Sequence, residues 1–208
     1  MSLKVERKPC SNIPPLAGGT YTGVCIAVVD LGKQYEQYDN QKQGKYVDRC
    51  MFIFEIPSER VEVDGEDKPR WISTKRLSQS LHERSNLNQI LTTWRGQPLT
   101  DCDFEEGFDL SAMLGQPATL SVSVKEKKNG GLRNEINAIS GLPKGTPAPV
   151  VESELLRFDA DCPDEAVFQA LPEWVQDIIR KSTQFSNNPP PEPLEFSGET
   201  AGERACPI

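Results

Sequence analysis

The spacing of apolar residues changes period twice between residues 20 and 140, and this change constrains the fold more than any other feature. Residues 20–30 (TYTGVCIAVVD) are rich in β-branched side chains, with Val24, Ile26 and Val28 on one face by alternation and a bend expected at Gly23. Residues 46–56 (YVDRCMFIFEI), closed by Pro57, and residues 70–75 (RWISTK) read as a second and third strand. Leu87, Ile90, Leu91 and Trp94 then fall at i, i+3, i+4 and i+7 between Ser85 as N-cap and Gly96 as stop, which is an amphipathic helix. A short helical turn is expected at 110–114. The period returns to two at Ala118, Leu120, Val122 and Val124, the chain turns at 128–131, and residues 132–140 give a fifth strand.

Three strands, a helix and two strands is the order of an OB-fold, a five-stranded Greek-key barrel with a helix between strands 3 and 4. An open α/β sheet needs helices alternating with strands, and a sandwich needs more strands than these. The face of strand 2 is ambiguous, because Phe52, Phe54 and Ile56 share one side and Val47, Met51 and Ile53 the other. Phe52 and Phe54 are assigned to the core.

The net charge of -8 is unevenly placed. Residues 1–150 hold 19 basic and 19 acidic side chains, whereas 151–208 hold 4 and 12. A neutral domain thus carries an acidic appendage, and its cations remain available to cluster on one face. Proline at 143, 147 and 149 marks a linker. The expected division is an OB domain over 1–145, an acidic linker with one short amphipathic helix behind Pro172 over 146–185, and a disordered tail over 186–208.

Several function classes are set aside by what the sequence contains. No apolar run approaches the ~18 to 20 residues of a membrane span, and Lys4, Arg7 and Lys8 precede no apolar stretch, so neither a membrane nor a secretory signal is expected. The six cysteines form no C-x-x-C pair and read as reduced thiols in a cytoplasm. His82 is the single histidine and reads as a surface or capping residue, so no metal set is expected. The acidic cluster at Asp101, Asp103, Glu105, Glu106 and Asp109 lacks the spacing of a calcium loop and reads as a solvated loop. With no phosphate-binding glycine motif and no nucleophile in context, neither a cofactor nor an enzyme is expected.

What remains is binding. OB-folds bind oligonucleotides on strands 2 and 3 and on the loops joining strands 1 to 2 and 4 to 5. The first of these loops offers Lys33, Tyr35, Tyr38, Lys42 and Lys45, with Tyr46 opening the next strand. The second offers Lys125, Lys127, Lys128 and Arg133, and strand 3 adds Trp71 and Lys75. Cations that follow phosphates, interleaved with rings that stack on bases, suit single-stranded nucleic acid read without sequence preference.

The runs RWISTKRLSQSLHERSNLNQILTTWRGQPLT, IPPLAGGTYTGVCIAVVDLGKQ and FDLSAMLGQPATLSVSV resemble small OB-fold proteins of tailed bacteriophages and prophages that look like single-stranded-DNA-binding proteins. LPEWVQDIIRKS is similar to a helix near the ends of phage replication and recombination proteins. The resemblance implies a non-catalytic protein of the bacterial host cytoplasm, with single-stranded DNA as partner and replication or recombination proteins met through the acidic C-terminal region. The end, GETAGERACPI, departs from the strongly acidic terminus usual among such proteins. The alternative is an OB-fold adaptor that docks a protein through Trp174, Val175 and Ile178. A further expectation is that the acidic tail competes with DNA for the basic groove, in which case deleting residues 151–208 tightens binding at low salt. The oligomeric state is left open.

Overall fold

A computed structural model describes residues 13–37, 44–63, 65–127 and 130–186. Three of the expected binding residues, Tyr38, Lys42 and Lys128, lie outside the described residues, as do 187–208 of the expected tail. The strand β1 (Gly19–Glu36) organises the rest. Residues 19–24 pair antiparallel with β5 (Pro117–Glu126), and residues 24–36 pair antiparallel with β2 (Lys45–Val63). With β3 (Glu66–Ser73) on β2 and β6 (Leu132–Ser140) on β5, the sheet runs β3-β2-β1-β5-β6. The fold is mainly β and antiparallel, with few helices.

The sheet has seven strands and is open, where five in a closed barrel were expected. The additions are β4 (Leu77–Ser78), paired with β2, and β7 (Leu156–Phe158), parallel to β1. At two and three residues, neither is long enough to show a period. The helix α1 (Asn86–Arg95) therefore follows a fourth strand. Its ends are the expected ones: the Ser85 side chain accepts from the Asn88 N–H, and Gly96 closes it at a φ of 70°. His82 sits in the exposed turn before it, its Nδ1 accepting from the Arg84 N–H at 3.1 Å. The acidic run from Asp101 is a short helix, α2 (Asp101–Glu105), closed by a Thr100–Asp103 capping box, rather than a loop. A 3-10 turn spans Leu110–Met113.

Both faces of the sheet are buried. On the first, Phe52, Phe54, Ile56, Leu120 and Val122 pack under Leu87, Leu91 and Trp94 of α1, so the assignment of Phe52 and Phe54 to the core holds. Trp94 meets Phe52 edge-on at 5.6 Å, and its indole N–H donates to the Pro117 carbonyl at 2.8 Å. On the second face, Ile26, Val29, Leu31, Met51 and Ile53 pack against Leu156, Phe158, Phe168, Leu171, Val175 and Ile179. The segment read from composition as linker and one helix thus supplies β7 and two helices, α3 (Glu165–Ala170) and α4 (Glu173–Ile179).

Two bulges explain why alternation misassigned β1. Register shifts fall between Cys25 and Ala27 and between Asp30 and Gly32, and each extra residue turns the following side chains to the other face. Ile26 consequently leaves Val28 and joins the second core. Gly23 is paired within the strand. A Cβ there would lie 2.8 Å from the Glu55 carbonyl and 3.0 Å from Leu120, so glycine permits β2 and β5 to approach β1 together. Pro57 does not end β2, because it falls in the bulge between Ile56 and Arg60, where no ladder N–H is required.

A carboxylate anchors the second layer. Glu55 is fully buried on β2 and accepts the backbone N–H groups of Glu152 at 2.9 Å and Ser153 at 3.0 Å. A buried polar group is tolerable only with such partners. The sequence signal is the single acid within the apolar run 51–56. Cys25 and Cys50 are buried among apolar groups, and burial pushes both thiols up to about 12, so neither is a nucleophile at neutral pH.

Candidate functional site

The hairpin of β5 and β6 sets Lys125 directly opposite Arg133, a like-charge pair that is unfavourable alone. Glu135, two residues on and on the same face, resolves it. Its buried carboxylate accepts from Lys125 Nζ at 2.7 Å, lies 2.7 Å from Lys75 Nζ and 3.6 Å from Arg133. Lys75 arrives from the chain just beyond β3, so the ion pair crosses the open seam between β3 and β6. Three half-exposed cations around one carboxylate leave a surplus of positive charge at a fixed place. The hydrogen bonds from Lys125 and then Lys75 hold the Glu135 carboxyl down at about 2.

That depression fixes a pH window. The carboxyl's ordinary value is 4.5, so the ion cluster contributes its full stability above that pH and loses it as pH falls towards about 2. Water around the three cations reduces the contribution to about 1 kcal/mol. Urea unfolding from pH 5 to pH 2 is expected to show this loss for the natural chain, and Glu135→Gln is expected to remove that part of the pH dependence.

Beside this cluster runs a groove of about 710 Å³. Its lining includes Lys75, Arg76 and Arg133, together with Met51 and Ser73. Tyr35 enters from the end of β1, 46% exposed, and its ring lies 5.2 Å from that of its cross-strand partner Tyr46. The Tyr35 hydroxyl accepts from the Gly44 N–H at 3.2 Å, which ties the ring to the start of β2. Arg49 also borders the groove, but its guanidinium is engaged by both Glu36 carboxylate oxygens and by Ser78 at 2.6 Å. The helix α4 contributes Trp174 and Ile178 to the same lining.

The structure brings Tyr35, Lys75 and Arg133 together in this groove, with Lys125 on Glu135 and Tyr46 behind Tyr35. It places the other described candidates elsewhere. Lys33 is exposed, with its backbone bonded to Thr183 and Gln184; Lys45 opens β2 opposite Glu36; Lys127 closes the β5–β6 turn through backbone bonds to Gly130 and Gly131. Trp71 is the cross-strand partner of Glu55, on the same face as Ser73 but not part of the groove lining, and its indole N–H is taken by Ser153 Oγ at 3.0 Å. Val175 is fully buried, and the partly buried Ile178 packs against the same core, so the apolar side of α4 holds the helix to the sheet.

Arg76 and Glu135 were missed. Arg76 follows Lys75 directly, so its signal was adjacency; Glu135 was legible only as an acid two residues from Arg133 in a hairpin with more basic than acidic side chains. Among the described residues no cluster of three or more His, Cys, Asp or Glu has the arrangement of a metal site, and no helix is long and apolar enough to cross a membrane. A scan against models of protein families finds no match, and neither does a search among curated proteins.

Proposed function

We propose that the protein binds single-stranded DNA in this groove, without catalysis and with little sequence preference. The observation that carries the reading is the convergence of Lys75, Lys125 and Arg133 on the buried Glu135, beside the exposed ring of Tyr35. Holding flexible cations in place before a ligand arrives lowers the ordering cost of binding. Ammonium and guanidinium groups that meet phosphates carry no base code, and an aromatic face accepts any base. A single strand offers such faces, whereas a duplex hides them.

The sheet supports an OB-like architecture as the scaffold. β1 pairs with both β2 and β5, the helix precedes β5, and the Lys75–Glu135 pair spans the seam where a barrel would close. In this reading β4 and β7 are additions. The setting we propose, phage DNA replication or recombination in a bacterial cytoplasm, rests on the resemblance described above.

Fluorescence anisotropy of a labelled oligo-dT, titrated with protein at several salt concentrations beside the matching duplex, tests the reading. The expected result is preference for the single strand, with log affinity falling linearly in log salt at a slope of about -2 to -3, or ~0.7 per phosphate neutralised. Equal affinity for the duplex, or no binding at low salt, would overturn it.

A further inference from the structure

The chain has three tryptophans, and the structure treats them differently. Trp94 is buried, its N–H bonded to Pro117; Trp71 is half-exposed, its N–H bonded to Ser153. Trp174 is 47% exposed, lines the groove, and makes no hydrogen bond through its indole N–H among the described residues. A buried indole usually spends its N–H within the fold, as Trp94 does, whereas an exposed one leaves its ring face and its donor open to solvent or a ligand.

The backbone beneath it is held firmly. Val175 and Ile179 are buried in the second core, the Gln176 side chain donates to the Leu171 carbonyl at 2.8 Å, and Gln34 of β1 donates to the Ile178 carbonyl at 3.1 Å. The helix therefore has an apolar side committed to the sheet and one large ring left over. That ring lines the same groove as Lys75, Arg76, Arg133 and Tyr35.

We infer that Trp174 is the base-stacking platform of the groove, so that α4 is a wall of the DNA site and the strand passes between this helix and the β-sheet. The inference rests on the single-stranded-DNA reading and names its principal aromatic contact. It assigns to the C-terminal region the opposite of a competitor's role. Bases stack on Trp174 while the phosphates follow Lys75, Arg76 and Arg133. Trp71, with its N–H engaged and outside the groove lining, is a spectator.

Tryptophan fluorescence of the full chain, titrated with unlabelled oligo-dT in parallel with anisotropy, separates these roles. In the natural chain, and in Trp71→Phe, DNA quenches emission. In Trp174→Phe the quench disappears while most of the affinity survives, because phenylalanine retains a stacking face. Trp174→Ala weakens binding about 10-fold or more, with a melting curve near that of the natural chain. If Trp174→Phe quenches as before, or Trp174→Ala binds normally, the inference is overturned and the groove reading stands. If the natural chain binds no oligo-dT by anisotropy, both fall. Should Trp174→Ala fail to fold, the Phe variant alone decides between quench lost and quench kept.

Discussion

A chain ending at Val150 will not fold as a trimmed DNA-binding barrel; it will be insoluble or will unfold without a cooperative transition. Deletion uncovers Ile26, Val29, Leu31, Met51 and Ile53 on one face of β1 and β2. It also removes Leu156, Phe158, Phe168, Leu171, Val175 and Ile179, each fully or nearly fully buried. At ~1.5–3 kcal/mol for each large apolar side chain, the loss is about 10 kcal/mol or more, comparable with the ~5–15 kcal/mol of a whole domain. A milder variant tests the same packing. Phe158, whose ring lies 5.7 Å from that of Phe168, becomes a cavity in Phe158→Ala, with an expected loss of about 3–5 kcal/mol in urea unfolding. A soluble, cooperatively melting chain of residues 1–150, together with an unaffected Phe158→Ala, would show that the second layer is dispensable. Tighter DNA binding by that shortened chain, the result a competing tail requires, is not expected.

The second large effect is on binding. Lys75→Gln combined with Arg133→Gln removes two of the cations on Glu135 and in the groove lining. If each meets one phosphate, the salt slope becomes shallower by about 1.4, and affinity for oligo-dT at low salt falls roughly 10- to 100-fold. Both side chains are more than half exposed, so folding is little affected. Lys144→Gln, also exposed but outside the groove, is the matched control and is expected to leave the slope unchanged. Equal effects of the double variant and the control would mean that the protein's overall charge is being read and not this groove.

How much of this was legible in the sequence follows from the range of each interaction. The helix α1 was readable to its caps because Ser85, Asn88 and Gly96 act within one or two turns. The β5–β6 hairpin was readable for the same reason: its partners are close in the chain. β7 pairs with residues 27–29 from about 130 positions away, over three residues, and nothing local announces that. A signal for the second layer was nevertheless present. VCIAVV and CMFIF are apolar at consecutive positions, and a strand that is apolar on both faces needs cover on both. Reading the acidic composition of 151–208 as an appendage overlooked Phe158 and Phe168 within it and turned the apolar stripe of Val175 and Ile179 outward to a partner, where the fold buries both.

The site divides similarly. Lys125, Arg133 and Lys75 were nominated by their place in the strand order, and they do converge. What joins them is Glu135, whose role depends on the ends of β3 and β6 meeting across the seam. Trp71 was nominated by the same argument but does not line the groove, and its N–H is taken by Ser153. Trp174 was read as a docking residue because its helix is amphipathic; the fold uses the apolar side inward and leaves the ring beside the cations.

The measurement that tests the central claim most directly is photo-crosslinking of an oligo-dT carrying 5-bromodeoxyuridine to the full chain, followed by peptide mass spectrometry. The account predicts adducts in the peptides that hold Tyr35 and Trp174, which line one groove, lost at high salt and in Lys75→Gln with Arg133→Gln. Adducts confined to Trp71 and its neighbours on β3, or to peptides that line no part of the groove, would contradict it.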